Sequence, residues 1–450
     1  MDSTKFILAW CLLGYAVCGN STTGQEPLPA PIQEQRFLTL DDLTKLGLQQ
    51  NPALQRLSFT IEAERGRAVQ AGLFPNPQFS VSGDNLGSRI GPGGQITVPF
   101  FSQEIVTAGK LRLSRAVVER QVDQATLDLM AQRYILVTTV RRGYFDVLAV
   151  QKRVEILDQL VAFSTKSVDV SQRLLGAKEV AELDLIQFRV ERNRFRAERD
   201  AAQRELAAAF RRMSANLGAP NLAVVPLEDL LILPDPIYEF EPAKSLVVNT
   251  HPQLRSAQVG VGRAQAALRL AEVQPIPNVT VGAGYVRDNI DRQDQWAFQV
   301  GLPIPIFNRN QGNIRAARAV IGEANRQVSE TENDLIARLA TAFGDYAAAK
   351  ERVDQYRAEI IPDARKAYQL SIDAFQGGEF QYLRVLQAQR TVAETNLEYV
   401  RALGEMWKAA ADISGLLLEE KWPQRQIDAI PPMPADDPAI GRARVHESGS

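Results

Sequence analysis

The chain is written twice. Asn51-Pro52-Ala53-Leu54 is answered two hundred residues later by His251-Pro252-Gln253-Leu254, and Pro75-Asn76-Pro77 by Pro275-Ile276-Pro277 at the same offset. Gly176 with Glu179 is answered by Gly377-Gly378 with Glu379, and Leu183-Asp184-Leu185-Ile186-Gln187 by Leu383-Arg384-Val385-Leu386-Gln387. A period of this length is too long for a solenoid. The 450 residues are therefore expected to form two copies of one unit rather than a row of ordinary domains of about 150 residues each. The units are residues 38–217 and 243–418. Between them residues 218–242 carry Pro220, Pro226, Pro234 and Pro236, which a continuous helix would not tolerate. After them residues 419–450, with Pro423, Pro431, Pro432, Pro434 and Pro438, read as a non-helical tail.

Each unit has the same internal order. A helix opens it, capped by Thr39 in the first unit with Asp41 and Asp42 in its first turn. The helix restarts at Pro52 and runs to about Gly72. In the second unit it spans Ala243 to Val273 and restarts at Pro252. A Pro-x-Pro pair then ends it. Long helical stretches close each unit. Lys110 to Leu175 contains no proline and Gly312 to Gln376 only Pro362. Helices return from Glu179 to Leu217 and from Glu379 to Leu418. Leu183, Ile186, Val190, Leu206 and Phe210 at three- and four-residue spacing mark a narrow apolar stripe on the first return helix, as in a coiled-coil hairpin with a wet face.

Between the opening helix and the hairpin lie short segments of period two. Phe79 alternates with Val81, Ile96 with Val98, and Val279 with Val281, with Tyr285 further along. Gln295 to Leu302 sets Trp296, Phe298, Val300 and Leu302 against Gln295, Ala297, Gln299 and Gly301. Such segments are strands with one apolar and one polar face. No surface for the apolar face is evident on the flanking helices. In a membrane barrel that face meets lipid. Four strands cannot close such a barrel, and an open edge in lipid leaves unpaired backbone groups at several kcal/mol each. The barrel must then be shared, and three copies give twelve strands.

The N-terminus is consistent with export. Lys5 precedes the uncharged run Phe6 to Val17, and small polar residues follow, the layout of a secretory signal over residues 1–18. Cys18 is a candidate for lipid attachment. No later stretch is long and apolar enough for a spanning helix. Fifty-one basic against 53 acidic residues argue against a nucleic-acid binder. Both cysteines lie in the first twenty residues and only two histidines occur, His251 and His446. There is no nucleophile–base motif and no metal-ligand cluster, so no catalytic residue, no metal site and no cofactor is expected.

Three motifs carry a resemblance. They are Val273-Gln274-Pro275-Ile276-Pro277-Asn278-Val279, the run Gly301-Leu302-Pro303-Ile304-Pro305-Ile306-Phe307-Asn308-Arg309-Asn310-Gln311-Gly312, and the stretch from Ala374 to Gln389 around Gly377-Gly378-Glu379. Together with the repeat, the chain resembles the TolC family of outer-membrane efflux ducts. The exit Gln103 to Lys110 looks most like the branch serving cobalt–zinc–cadmium resistance pumps of the RND type. The resemblance implies a mainly α fold with a small β part, a homotrimer with a twelve-stranded outer-membrane barrel, and a periplasmic α-barrel below it. It implies a passive conduit, not an enzyme, that meets a periplasmic adaptor (membrane fusion) protein and an inner-membrane RND pump. Organic drugs or secreted polypeptides are alternative cargoes. A periplasmic coiled-coil scaffold is the alternative of another class.

The expected roles follow. Arg173, Leu174, Leu175 and Gly176, and Gln376, Gly377, Gly378 and Glu379, form the hairpin tips that dock an adaptor. Asp184, Arg384, Gln187 and Gln387 are gate candidates, with Asp184 and Arg384 facing each other at the constriction. Phe79, Val81, Ile96, Val98, Val279, Val281, Tyr285, Trp296, Phe298 and Val300 are expected to face lipid.

Overall fold

A computed structural model describes residues 37–84, 94–177, 181–231, 233–289, 291–376 and 382–423. The expected signal segment with Cys18, the tip residues Gly377, Gly378 and Glu379, and the tail from residue 424 lie outside the described residues.

The order is two short helices, two strands and a helical hairpin, given twice. Helices α1 (Leu40–Gln50) and α2 (Pro52–Ala71) meet at Asn51. Thr39 Oγ1 accepts the Asp42 N–H at 3.1 Å and opens α1. Asn51 Oδ1 accepts the Ala53 N–H at 2.9 Å and opens α2, with Pro52 at a first-turn position where its missing N–H costs nothing. Strands β1 (Gln78–Asp84) and β2 (Gln95–Ile105) follow, then α3 (Lys110–Gly176) and α4 (Glu182–Leu217). The second unit repeats this with α5 (Phe240–Thr250), α6 (Pro252–Val273), β3 (Val279–Asp288) and β4 (Gln293–Gly301). His251 Nδ1 accepts the Gln253 N–H at 3.3 Å, the role Asn51 has in the first unit.

The second hairpin departs from expectation. Instead of one helix from residue 312 to 376, α7 (Gln311–Gln355) passes through a π-turn, Tyr356–Ile360, into α8 (Ile361–Gln376), before α9 (Tyr382–Leu416) returns. Pro362 is the reason. It lacks an N–H and its ring crowds the carbonyl four residues back, and the wider turn just before it absorbs both. The uninterrupted α3 has 67 residues and spans about 100 Å.

The strands are longer than the alternation suggests. β2 continues past Pro99 to Ile105, and β3 past Gly282 to Asp288. All four form one antiparallel sheet in the order β1-β2-β3-β4. Both ladders of β2 slip between Thr97 and Phe100, so β2 carries one extra residue at Val98-Pro99. Proline has no N–H to give a ladder, and a bulge is where a sheet accommodates it.

The hydrophobic core lies where the middle of α3 meets the C-terminal parts of α4, α7 and α9. Tyr144, Phe145, Phe210, Met213, Met406 and Trp407 pack there, with Phe145 stacked on Trp407 at 5.0 Å. The segment between the units lies across this core as a strap. Leu227, Leu230 and Leu231 are buried in it, and the Tyr144 hydroxyl donates to Glu228 O at 2.6 Å. Trp422, expected in the tail, is buried there too and donates Nε1–H to the Tyr238 hydroxyl at 2.7 Å.

The buried seam of α4 is not the stripe expected for it. Leu183, Ile186 and Val190 are exposed, while Leu185, Phe188, Phe195, Ala202 and Ala209 are buried along with Phe210. Both sets recur at helical spacing. Only the direction in which α3 lies chooses between them.

Candidate functional site

Two regions of the fold are built for something other than packing. The first is the sheet. Cross-strand partners and alternation put Phe79 and Val81 of β1, Ile96, Val98, Phe101 and Ile105 of β2, Val279, Val281, Ala283 and Tyr285 of β3, and Trp296, Phe298 and Val300 of β4 on one face. All ten residues expected to face lipid are in this group. Most of the face is bare in the single chain: Trp296 is 73%, Phe298 80% and Val300 71% exposed. Burying a large apolar side chain is worth roughly 1.5–3 kcal/mol, so this face is costly in water.

The opposite face carries Gln78, Ser80, Ser82, Thr97, Ser102, Thr280, Gln295 and Gln299, with Asp84, Asp288 and Glu104 as its charges. Among the described residues no Lys or Arg lies on it. Gln95 donates to Asp288 Oδ2 at 2.9 Å. The sheet's one basic side chain, Arg287, is on the apolar face and pairs with Asp294 at 2.5 Å. Phe100 is the large exception on the polar face. It lies against Gly282 and Gly284, where an added Cβ would stand 2.7 and 2.5 Å from its ring. Within the chain, β1 and β4 each leave one edge unpaired.

The second region is the far end of the hairpins. Arg173 is exposed and donates Nε–H to Asp169 O at 3.3 Å; Leu174 and Leu175 lie in the last turn of α3, which Gly176 ends. Gln376 ends α8. Val168, Leu185 and Phe188 form a small buried cluster on which Leu386 of α9 packs, so the ends of the two hairpins touch. Asp184 and Arg384 each flank this contact. Asp184 is half-buried, and its carboxylate accepts the Ala181 N–H at 3.2 Å, a capping bond at the start of α4. Arg384, Gln187 and Gln387 are exposed. Further along, Arg194 and Glu394 approach to 3.7 Å between α4 and α9.

Sequence reasoning missed a third feature, an ionic clasp on the strap. Asp235 is 12% exposed and meets Lys350 and Arg357 at 3.2 Å each. Arg357 sits in the π-turn and also donates to the Tyr399 hydroxyl at 3.4 Å, and that bond with the Asp235 carboxylate raises its pKa. The Tyr346 hydroxyl donates to Pro236 O. The only signal was Asp235 between Pro234 and Pro236. Nearby, buried Arg141 donates to Ser414 Oγ at 2.9 Å and to Glu419 O at 2.6 Å under the Trp422 ring; burial lowers its pKa to about 10.

Among the described residues no group of three or more His, Cys, Asp or Glu is placed to hold a metal ion, and no helix is long and apolar enough to cross a membrane.

Comparison with known proteins bears on both regions. The family model described as outer membrane efflux protein matches residues 43–219 and 245–417. The cobalt-zinc-cadmium resistance protein CzcC of Cupriavidus metallidurans is 26% identical over 410 residues, covering 88% of this chain and 94% of its own length. Among solved structures, CusC, studied for folding and transmembrane channel formation, superposes with a TM-score of 0.73 at 17% identity, covering 89% of this chain and 98% of its own. The outer membrane protein VceC of Vibrio cholerae gives 0.69 at 18% identity, covering 84% and 95%.

Proposed function

The chain belongs to the outer membrane efflux protein family, and from that premise we propose that it works as a passive trimeric duct passing heavy-metal cations out of the cell. Its place is the outer membrane, with the helical part extending into the periplasm. The observation that carries the reading is the sheet. One face is apolar and bare, the other polar, and both edges end unpaired. In lipid each unpaired backbone group costs several kcal/mol, which other copies of the chain remove by continuing the ladder. Three copies make twelve strands, above the smallest known closure of about eight.

The polar face then lines the lumen. Among the described residues that face carries Asp84, Glu104 and Asp288 and no Lys or Arg, a balance that favours the passage of cations over anions. The similarity to CzcC, a cobalt-zinc-cadmium resistance protein, supports metal cargo over organic drugs or polypeptides. Among the described residues no cluster of metal ligands lies there to retain such ions as they pass. Selection of the metal then belongs to an inner-membrane RND pump, reached through a periplasmic adaptor protein that docks on the hairpin tips around Arg173–Gly176 and Gln376–Glu379.

Asp184 and Arg384 are proposed as the latch at the closed end. They flank the contact between the hairpin ends, where charges in a narrowing act more strongly than on an open surface. Two measurements test the reading. In planar bilayers the purified protein should form cation-selective pores, and the double variant Asp184→Ala, Arg384→Ala should raise the open fraction; unchanged opening removes the latch. Deleting the gene should make cells sensitive to cobalt, zinc or cadmium, and unaltered metal tolerance with new drug sensitivity would replace the cargo.

A further inference from the structure

The sheet ends where the helices begin, and its two strand pairs leave it differently. Inside the chain, the seam between β2 and β3 is closed at its helical end by polar bonds. The four residues 106–109 join β2 to α3 beside the segment that leads into β3. Thr107 Oγ1 donates to Pro277 O at 2.7 Å. The buried Lys110 ammonium donates to Ile276 O and, at 2.8 Å, to Asn278 Oδ1.

The internal repeat assigns this seam a counterpart. Phe74-Pro75-Asn76-Pro77 leads into β1 as Gln274-Pro275-Ile276-Pro277 leads into β3. Gly109 before α3 and Asn310 before α7 both adopt the left-handed conformation, with φ of 66° and 59°. The counterpart of the β2–β3 seam is thus a β4–β1 seam. A single chain does not contain it, because those two strands are the outer ones. β1 starts and β4 ends at the helical end of the sheet. Pairing β4 of one copy with β1 of the next therefore sets the exit 302–310 of the first beside the lead-in 73–77 of the second.

These two segments are apolar where the internal seam is polar. Leu73 and Phe74 are exposed, as are Leu302, Ile304, Ile306 and Phe307, the last at 89%. The exit after β4 has nine residues against four after β2. Gln311, at the position of Lys110, spends its side chain locally, on the Phe307 carbonyl and the Arg309 N–H. The inner side of the lead-in is already taken, since Gln103 Nε2 donates to Pro75 O at 2.8 Å.

We propose that Leu302–Phe307 of one copy seats on Leu73, Phe74 and Pro75 of the next, an apolar clasp in the place that Thr107–Lys110 holds within the chain. This rests on the oligomeric duct reading. A backbone ladder alone specifies register weakly, and side chains that must meet their counterparts fix it. The clasp sets the register between copies at the ring where barrel becomes tunnel.

The test uses the full chain purified in detergent, in a Cys18→Ala background. Phe74→Cys combined with Ile304→Cys, treated with a short bismaleimide, should give covalent dimers and trimers that neither single variant gives. The pair Ile304→Ser, Phe307→Ser should lower the temperature at which the oligomer dissociates while leaving helical content unchanged. An intact oligomer with no covalent ladder, or with an unmoved dissociation temperature, overturns the clasp alone. A wild-type protein that sediments as a single copy overturns the duct reading and the clasp with it.

Discussion

His251 stands where the first repeat has Asn51, and the exchange adds a titration to the same capping bond. Its Nδ1 must be unprotonated to accept the Gln253 N–H, and burial, helped by the Arg338 charge, lowers its pKa from 6.5 to about 4. With the folded value below the unfolded one, the neutral form contributes stability that is full above about pH 6.5 and is lost as pH falls towards 4. Helix unfolding followed by circular dichroism should show a loss on the order of 2 kcal/mol across that window, once solvent screening is allowed for. His251→Asn keeps an acceptor in place and should flatten the window; a variant with the same slope would refute the assignment. The same pairing of positions was legible by eye at an offset of two hundred. What Asp184 does was not: its capping bond to the Ala181 N–H depends on how the backbone turns before α4.

Among the elements, β2 teaches most. Strict alternation from Ile96 and Val98 would put Phe100 on the apolar face and Phe101 on the polar one. The extra residue at Val98-Pro99 reverses both, and Phe101 meets Phe79 with rings 5.5 Å apart. Phe100 fits on the polar face because Gly282 and Gly284 leave it room. Gly284→Ala should push the ring off the wall and lower single-pore conductance, and adding Phe100→Ala should restore it; equal conductance in all three proteins would show that the ring does not reach the lumen. Helix α9 lies on α3 with similar closeness. A Cβ at Gly415 would collide with the Thr138 side chain. Gly415→Val should cost about 3 kcal/mol or more by overpacking, read as a lowered thermal midpoint. Helix lengths were legible because proline and glycine punctuate them. The buried side of α4 was not, because Leu183-Ile186-Val190 and Leu185-Phe188 are equally good stripes until a neighbour selects one.

The whole molecule is two repeats that share one core, tied by a strap. The strap runs from the α3 side, where Lys152 meets Asp229 at 2.8 Å, to the α7 side, where Asp235 meets Lys350 and Arg357. Because Arg357 belongs to the π-turn, the clasp ties the strap to the junction of α7 and α8. Asp235→Ala leaves two cations that are free to hydrate, so the expected loss is modest, about 1–2 kcal/mol in thermal unfolding. It should also raise spontaneous opening in planar bilayers, since the second hairpin is then released from the strap. An unchanged open fraction would confine the clasp to a stabilising role.

The sequence by itself determined the repeat, the punctuation of each element and the two-faced strands, since these are local properties: a proline, a glycine or a period of two acts within a few residues. It also carried the expectation that other copies complete the sheet, because four strands leave edges that lipid does not forgive. Only the tertiary structure decided which stripe of α4 is inside, where the bulge turns Phe100 about, and that Asp235, Lys350 and Arg357 meet. Each of these depends on a partner far along the chain, and no local preference distinguishes the residue that is met from its equally apolar or equally charged neighbour.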